Sequence, residues 1–191
     1  DAIAIQADVS SEDEVRKMME EAVKNFGSID ILVNNAGIVF DVPILEKTVE
    51  QWERTLRVNL IGTFLCTKYA VPHMQGRVGA AILNISSTNG IDSLSPESAD
   101  YDTSKAGVIS LTKNLAKLYS PNILVNAVAP GYVHIPRFDS FSKEDRDAMI
   151  NEIRLGDFIE PKDIAEAFLF LAKSDVTTGE ILVVDGGFSL K

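Results

Sequence analysis

The order of segments in this chain predicts an α/β fold with a doubly wound, mostly parallel sheet, and three observations carry that prediction. Short apolar runs alternate with longer runs of helical periodicity along the sequence. The short runs are apolar over most of their length, as parallel strands covered on both faces are. Polar or glycine-rich residues then follow the runs, as in "NNAG", "NISSTNG" and "PGYV", with Asp8 after the first. Because crossovers are right-handed, the C-terminal ends of such strands share one edge, where ligands of these sheets bind.

Residues 3–7, "IAIQA", read as a buried strand. "SSEDEVRKMMEEAVKNFG" reads as a helix opened by a capping box from Ser11 to Glu14 and stopped by Gly27. "DILVNNAG" is a second strand entering a glycine turn, and Val49 to about Met74 is one long helical pattern. "GAAILNISS" is a third strand, followed by a polar loop and the helix that contains "YDTSK". "ILVNAVAPG" is a fourth strand; an irregular stretch with a helix from Ser142 comes next, then "PKDIAEAFLFLAK" with proline in its first turn, and "EILVVDGG" closes the order. A single domain over residues 1–191 is expected, with a substrate lid inserted at about 132–157.

Composition narrows the function classes. Of the 191 residues 46% are hydrophobic and 24% charged, an ordinary globular make-up. A formal net charge of -10 with no Lys/Arg cluster disfavours nucleic acid. The single cysteine, Cys66, lies in an apolar helical run and reads as a buried thiol in a reducing compartment. With no apolar run of membrane-spanning length and no leader pattern, a soluble cytoplasmic protein without membrane partners is expected. His73 has no partner at ligand spacing, so no metal site is expected.

Tyr101 and Lys105 stand four apart, on one helix face that Val108, Leu111, Leu115 and Leu118 continue. Periodicity alone leaves two readings open, a functional pair and the solvated start of an ordinary helix whose lysine snorkels. The strand ends add weight to the first, since a tyrosine here can reach a serine of "NISSTNG" and the two hydroxyls can hold one carbonyl oxygen. A nearby ammonium favours a phenolate, which is expected to draw the tyrosine pKa down from about 10.

The set "ADVS", "NNAG", "RVNLIGTF", "NISSTNG", "YDTSKAG", "VNAVAPGYV" and "VDGG", in that order, resembles the classical short-chain dehydrogenase/reductase family across practically the whole chain. The resemblance implies a Rossmann-like three-layer domain using NAD or NADP. It implies that Tyr101 is the acid-base, that Lys105 lowers its pKa and bonds the nicotinamide ribose, that Ser87 (three residues before Gly90) orients the substrate oxygen with Ser86 as the alternative, and that Asn59 belongs to a proton relay. Without the other motifs, Asn59 reads as a solvent-facing helix residue. The resemblance further implies cofactor contacts at Asp8, Val9, Asn34, Asn35, Ala36, Gly37, Pro130, Gly131 and Val133, besides Tyr101 and Lys105.

The implied reaction is reversible hydride transfer between a nicotinamide and a ketone or secondary alcohol of the 3-oxoacyl thioester, sugar or polyol class. A small-molecule carbonyl or alcohol is thus the expected partner, together with self-association as a homotetramer or homodimer. Two alternatives are a non-catalytic binding or regulatory protein of the same fold and, further off, an epimerase or dehydratase. The family's glycine-rich phosphate turn has no counterpart in this sequence, which matches the family from its third strand onward; on that reading the chain is part of a protein longer by about 50 residues. "IRLGD" departs from the family pattern, as does Ile135 where a threonine is common. In the lid, His134, Arg137, Phe138 and Phe141 select no substrate, and His134 reads more readily as a bystander.

Overall fold

The computed structural model describes residues 2–77 and 79–190; the expected domain's end residues Asp1 and Lys191, and Val78, lie outside the described residues. Four strands form one parallel sheet in the order β1-β2-β3-β4: β1 (Ile31–Asn34), β2 (Ala80–Ile85), β3 (Ile123–Pro130) and β4 (Ile181–Val184). The register pairs Asn34 with Asn84, Ile85 with Val128 and Pro130 with Val184, which aligns all four C-terminal ends along one edge.

Helices cover both faces. On one, Val15 and Met19 of α1 (Glu12–Phe26), Leu65, Cys66, Ala70 and Met74 of α3 (Gly62–Met74), and Leu115 of α4 (Ala99–Tyr119) pack on Ile82 and Val125. On the other, Ile164 and Leu171 of α6 (Pro161–Ala172) meet Leu83 and Val128. Central β2 and β3 are therefore buried nearly throughout, whereas β1 and β4 are half exposed. Cys66 is a free, buried thiol whose burial pushes its pKa up to about 11.

The expected strand at residues 3–7 joins no ladder. Its composition is strand-like, but strand structure needs a neighbour's N–H and C=O groups.

The capping box is half present. Ser11 Oγ accepts from Glu14 N at 3.5 Å, but the Glu14 carboxylate reaches back to Asp8 N at 2.9 Å. Gly27, at φ +85°, ends α1 by donating to Val23 O. The long pattern from Val49 to Met74 is not one α-helix: α2 (Val49–Leu56) and α3 flank a π-turn at Arg57–Ile61, across which Gly62 N reaches Arg57 O. Leu118, expected on the buried stripe, is exposed, while Val108 and Leu115 are buried.

Between β3 and α6 the chain passes through a short 3-10 turn and α5 (Lys143–Glu152), capped by Ser142. The neck of this excursion is pinned by Ile159, which accepts from His134 N at 2.8 Å and donates to Tyr132 O at 3.0 Å. The segment "IRLGD" is tied down beside the end of the chain's last described turn. Ile153 is buried, Leu155 N bonds Gly186 O at 2.9 Å, and Gly156 turns the chain at φ +78°.

Candidate active site

The site forms where the end of β2 is locked to the start of α4. Ser86 Oγ donates to Lys105 O at 3.0 Å, and Gly90 lies so near α4 that a Cβ there would stand 2.6 Å from the Lys105 carbonyl carbon. Of the two candidate serines, Ser86 is thus occupied inside the fold, while Ser87 opens into a cleft of about 720 Å³ that Tyr101 and Gly131 also line. Val39, Asp41, Arg137, Phe138 and Met149 stand around the same space. Ser87 is held by Asn89 N, which donates to its Oγ at 3.2 Å. Asn89 in turn donates to Asp102 at 2.8 Å.

Lys105 sits behind Tyr101, its Nζ 5.4 Å from the centre of the tyrosine ring. The side chain is 2% exposed. Its one hydrogen bond among the described residues goes to Ile85 O at 3.0 Å, and burial lowers its pKa to about 8. The expected depression of the Tyr101 pKa is not found. Burial raises it, the Ser87 hydroxyl pulls the other way, and the charges of Asp102 and Asp41 raise it further. Desolvation weakens the charged form of both partners, so proximity of an ammonium does not by itself favour phenolate.

Asn59 lies in the π-turn, 1% exposed rather than solvent-facing. Its Oδ1 accepts from Ile38 N at 2.8 Å, and its Nδ2 donates to Ile38 O at 2.9 Å and to Ser104 Oγ at 3.0 Å. The side chain therefore stitches the turn after β1 to α4. π-turns are rare and recur at functional positions; this one was not visible in the sequence because one extra residue leaves the apolar pattern nearly intact.

The expected cofactor-contact residues divide. Asn35, Ala36 and Gly37 are exposed on the strand edge. A Cβ on Gly37 would lie 3.5 Å from Asn59 Oδ1 and 3.6 Å from Lys105 Nζ, so the glycine keeps open the space beside both. Asn34, at the end of β1, turns its side chain into the sheet: the buried amide donates to Asn84 Oδ1 at 2.9 Å and ties β1 to β2. Val9 packs on Gly62 and, with Asn35 and Ala36, lines a mainly apolar slot of about 170 Å³. Asp8 accepts from Ser10 N and Oγ and from Arg54, contacts that hold its pKa at about 2. Pro130 is buried, Gly131 lies so close to Asp185 that a Cβ would stand 2.9 Å from it, and Val133 is paired with Ile159.

These residues fit a nicotinamide ribose. The Lys105 ammonium has three donors and spends one on Ile85 O. A buried ammonium so under-partnered is costly unless a ligand supplies acceptors, and hydroxyls in the space kept open by Gly37 would do so. No group of three or more His, Cys, Asp or Glu able to hold a metal occurs among the described residues. No described helix is long and apolar enough to cross a membrane.

A parallel α/β sheet with serine and tyrosine hydroxyls in an edge cleft, backed by a buried lysine, defines an oxidoreductase domain acting on a carbonyl or hydroxyl with a nicotinamide. Comparison with known proteins agrees. The family model described as enoyl-(acyl carrier protein) reductase matches residues 1–189. The chain is 42% identical over 190 residues to the 3-oxoacyl-[acyl-carrier-protein] reductase of Staphylococcus aureus, spanning 98% of this chain and 77% of that protein. It is 40% identical over 182 residues to the corresponding reductase of Thermotoga maritima, spanning 94% and 74%. Among solved structures, the ligand-free aldohexose dehydrogenase of Thermoplasma acidophilum superposes with a TM-score of 0.93 at 32% identity, over 98% of this chain and 78% of that one. The structure of ElxO with NADP bound superposes with a TM-score of 0.89 at 36% identity, over 97% of this chain and 77% of that one. The chain belongs to the short-chain dehydrogenase/reductase family, and it is an NAD(P)-dependent oxidoreductase of the ketone or alcohol type.

Proposed function

We propose that this protein reduces a 3-oxoacyl thioester to the 3-hydroxy form, reversibly, with Tyr101 passing the proton at the substrate oxygen. The observation that carries the reading is that Ser87 and Tyr101 open into one cleft while Lys105 lies buried directly behind the tyrosine. The Ser87 hydroxyl and the Tyr101 hydroxyl hold the carbonyl oxygen between them. The oxygen takes its proton from Tyr101 as negative charge develops on it. Lys105 keeps positive charge beside the phenol and bonds the ribose of the cofactor; Asn59 fixes the turn at Ile38, so that Gly37 leaves that space open. When bound, the nicotinamide supplies the hydride and the carbon it reduces is held by the residues above. Asp8 and Val9 belong to the adenine end of the same strand edge, and Pro130, Gly131 and Val133 to the nicotinamide end.

Residues 132–157 act as the lid of this single domain, and Val39, Leu94, Ile135, Phe138, Phe141 and Met149 give the cleft an apolar side suited to an acyl chain. A sugar or polyol substrate is the second reading, favoured by Asp41, Asp92 and Glu152 on the same cleft. A homotetramer or homodimer in the cytoplasm completes the proposal.

The test is turnover of acetoacetyl-coenzyme A with NADH and with NADPH, beside D-glucose with NAD and with NADP. Reduction of the thioester with no glucose oxidation supports the first reading. Glucose oxidation without thioester reduction replaces it with the second.

A further inference from the structure

Lys47 and Asp100 form an ion pair across 53 residues of sequence, with side chains 2% and 0% exposed. The second Asp100 oxygen accepts from Thr55 Oγ1 at 2.6 Å, and Lys47 Nζ also donates to Phe40 O at 2.6 Å. Three elements meet at this carboxylate: the loop after β1, α2, and the first turn of α4. Val42 N bonding Glu97 O at 2.9 Å adds a second tie between that loop and the approach to α4. The loop supplies Val39 and Asp41 to the catalytic cleft, and Asp100 immediately precedes Tyr101.

Stability does not explain such a pair, because replacing a buried ion pair with apolar residues of similar volume is commonly neutral or stabilising. What the pair does specify is geometry, since a charged bond between buried groups has one low-energy arrangement. It also neutralises a carboxylate one residue from the phenol. The charged groups around Tyr101 are Asp102 and Lys105 on α4, Asp41 on the loop, itself bonded to Arg137, and Asp92 and Glu152 on the cleft. Asp102 and Asp41 raise the tyrosine pKa, whereas Asp100, as near in sequence as Asp102, has its carboxylate bonded to Lys47 and Thr55. Burial pushes the Asp100 carboxyl up, but Lys47, Thr55 and the Tyr101 amide outweigh it and keep the group ionised and paired.

We propose that Lys47, Asp100 and Thr55 are positioning residues for Tyr101, fixing the first turn of α4 against the opposing cleft wall and keeping the Asp100 charge from the phenol. The proposal rests on Tyr101 being the proton donor.

The experiment compares Lys47→Met/Asp100→Leu, Lys47→Met, Lys47→Arg and Tyr101→Phe with the unaltered protein, using acetoacetyl-coenzyme A. Thermal midpoint, cofactor Kd and the pH profile of kcat are recorded for each. The double variant is expected to keep its midpoint and cofactor affinity while kcat falls about 10-fold or more, the scale of a small misplacement of a catalytic group. Lys47→Met is expected to move the tyrosine limb upward by about half to one pH unit, as an unpaired nearby charge does at an effective dielectric of about 20. Lys47→Arg is expected to restore it. A folded double variant with full kcat overturns the proposal. If the double variant does not fold, Thr55→Val decides: kcat at least about 3-fold lower supports positioning, and full kcat overturns it. Retained turnover in Tyr101→Phe instead removes the proton-donor reading itself, so the two failures are distinct.

Discussion

Replacing Lys105 with methionine separates the demands of the site from those of the fold. The ammonium is 2% exposed and its pKa lies at about 8 against an ordinary 10.5. At 1.36 kcal/mol per unit, the folded protein without cofactor bears a penalty of roughly 3 kcal/mol for keeping this group charged at neutral pH. Methionine has nearly the same shape and no charge, but it forfeits the bond to Ile85 O, worth about 1 kcal/mol. The net expectation is a gain of about 2 kcal/mol, or roughly 4–8 °C in Tm for a chain of this size. The sign with pH follows from the lowered folded pKa. The penalty is present in full below about 8 and is lifted as pH rises towards 10.5, because there the unfolded chain binds the extra proton. The variant's advantage should therefore shrink across that window. Thermal unfolding of both proteins at fixed concentration, without cofactor, from pH 7 to 10.5, is the assay. Turnover should meanwhile fall about 10²–10⁴-fold, the usual contribution of positioned proton transfer. A methionine variant less stable at pH 7, or an advantage independent of pH, would refute the reasoning.

Gly90→Ala places a Cβ 2.6 Å from the Lys105 carbonyl carbon, where backbone has to move; a loss of about 1–3 kcal/mol is expected by urea denaturation, with kcat falling as Lys105 shifts. Asn59→Leu leaves Ile38 N and Ile38 O without their side-chain partner, at about 1–3 kcal/mol for each group left unsatisfied, while Ser104 Oγ keeps its bond to Tyr101 O. Thermal unfolding should show a large drop, and Asn59→Leu with a wild-type midpoint would contradict the stitching role.

How far the sequence discloses this protein depends on the range of the interaction. The ends of α1 and α6 were legible because their determinants, Ser11, Gly27 and Pro161, act within one turn. The relation between Tyr101 and Lys105 was legible for the same reason. What was missed is non-local. Residues 3–7 carry a strand's composition but pair with none of the four strands, and pairing is what makes a strand. Asn34 looks like an edge residue by position, yet its side chain is drawn into the sheet by Asn84, 50 residues on. Ser86 and Ser87 are alike in type; the interval to Gly90 favours Ser87, and the contact of Ser86 with Lys105 O, which no spacing discloses, is what leaves Ser87 as the one on the cleft. The Asp41–Arg137 and Lys47–Asp100 pairs carried no sequence signal, since neither partner is marked by spacing. The sign of the Tyr101 shift failed differently: charge proximity was read from the helix, but burial depends on everything packed around it.

The central claim is that Tyr101 passes the proton at a substrate oxygen held in the cleft. Its most direct test is Tyr101→Phe, with NADPH and NADH affinity by fluorescence titration and kcat on acetoacetyl-coenzyme A measured on one preparation. The account predicts unchanged cofactor affinity and kcat lower by about 10²–10⁴-fold. A phenylalanine variant that turns over at the wild-type rate would contradict it.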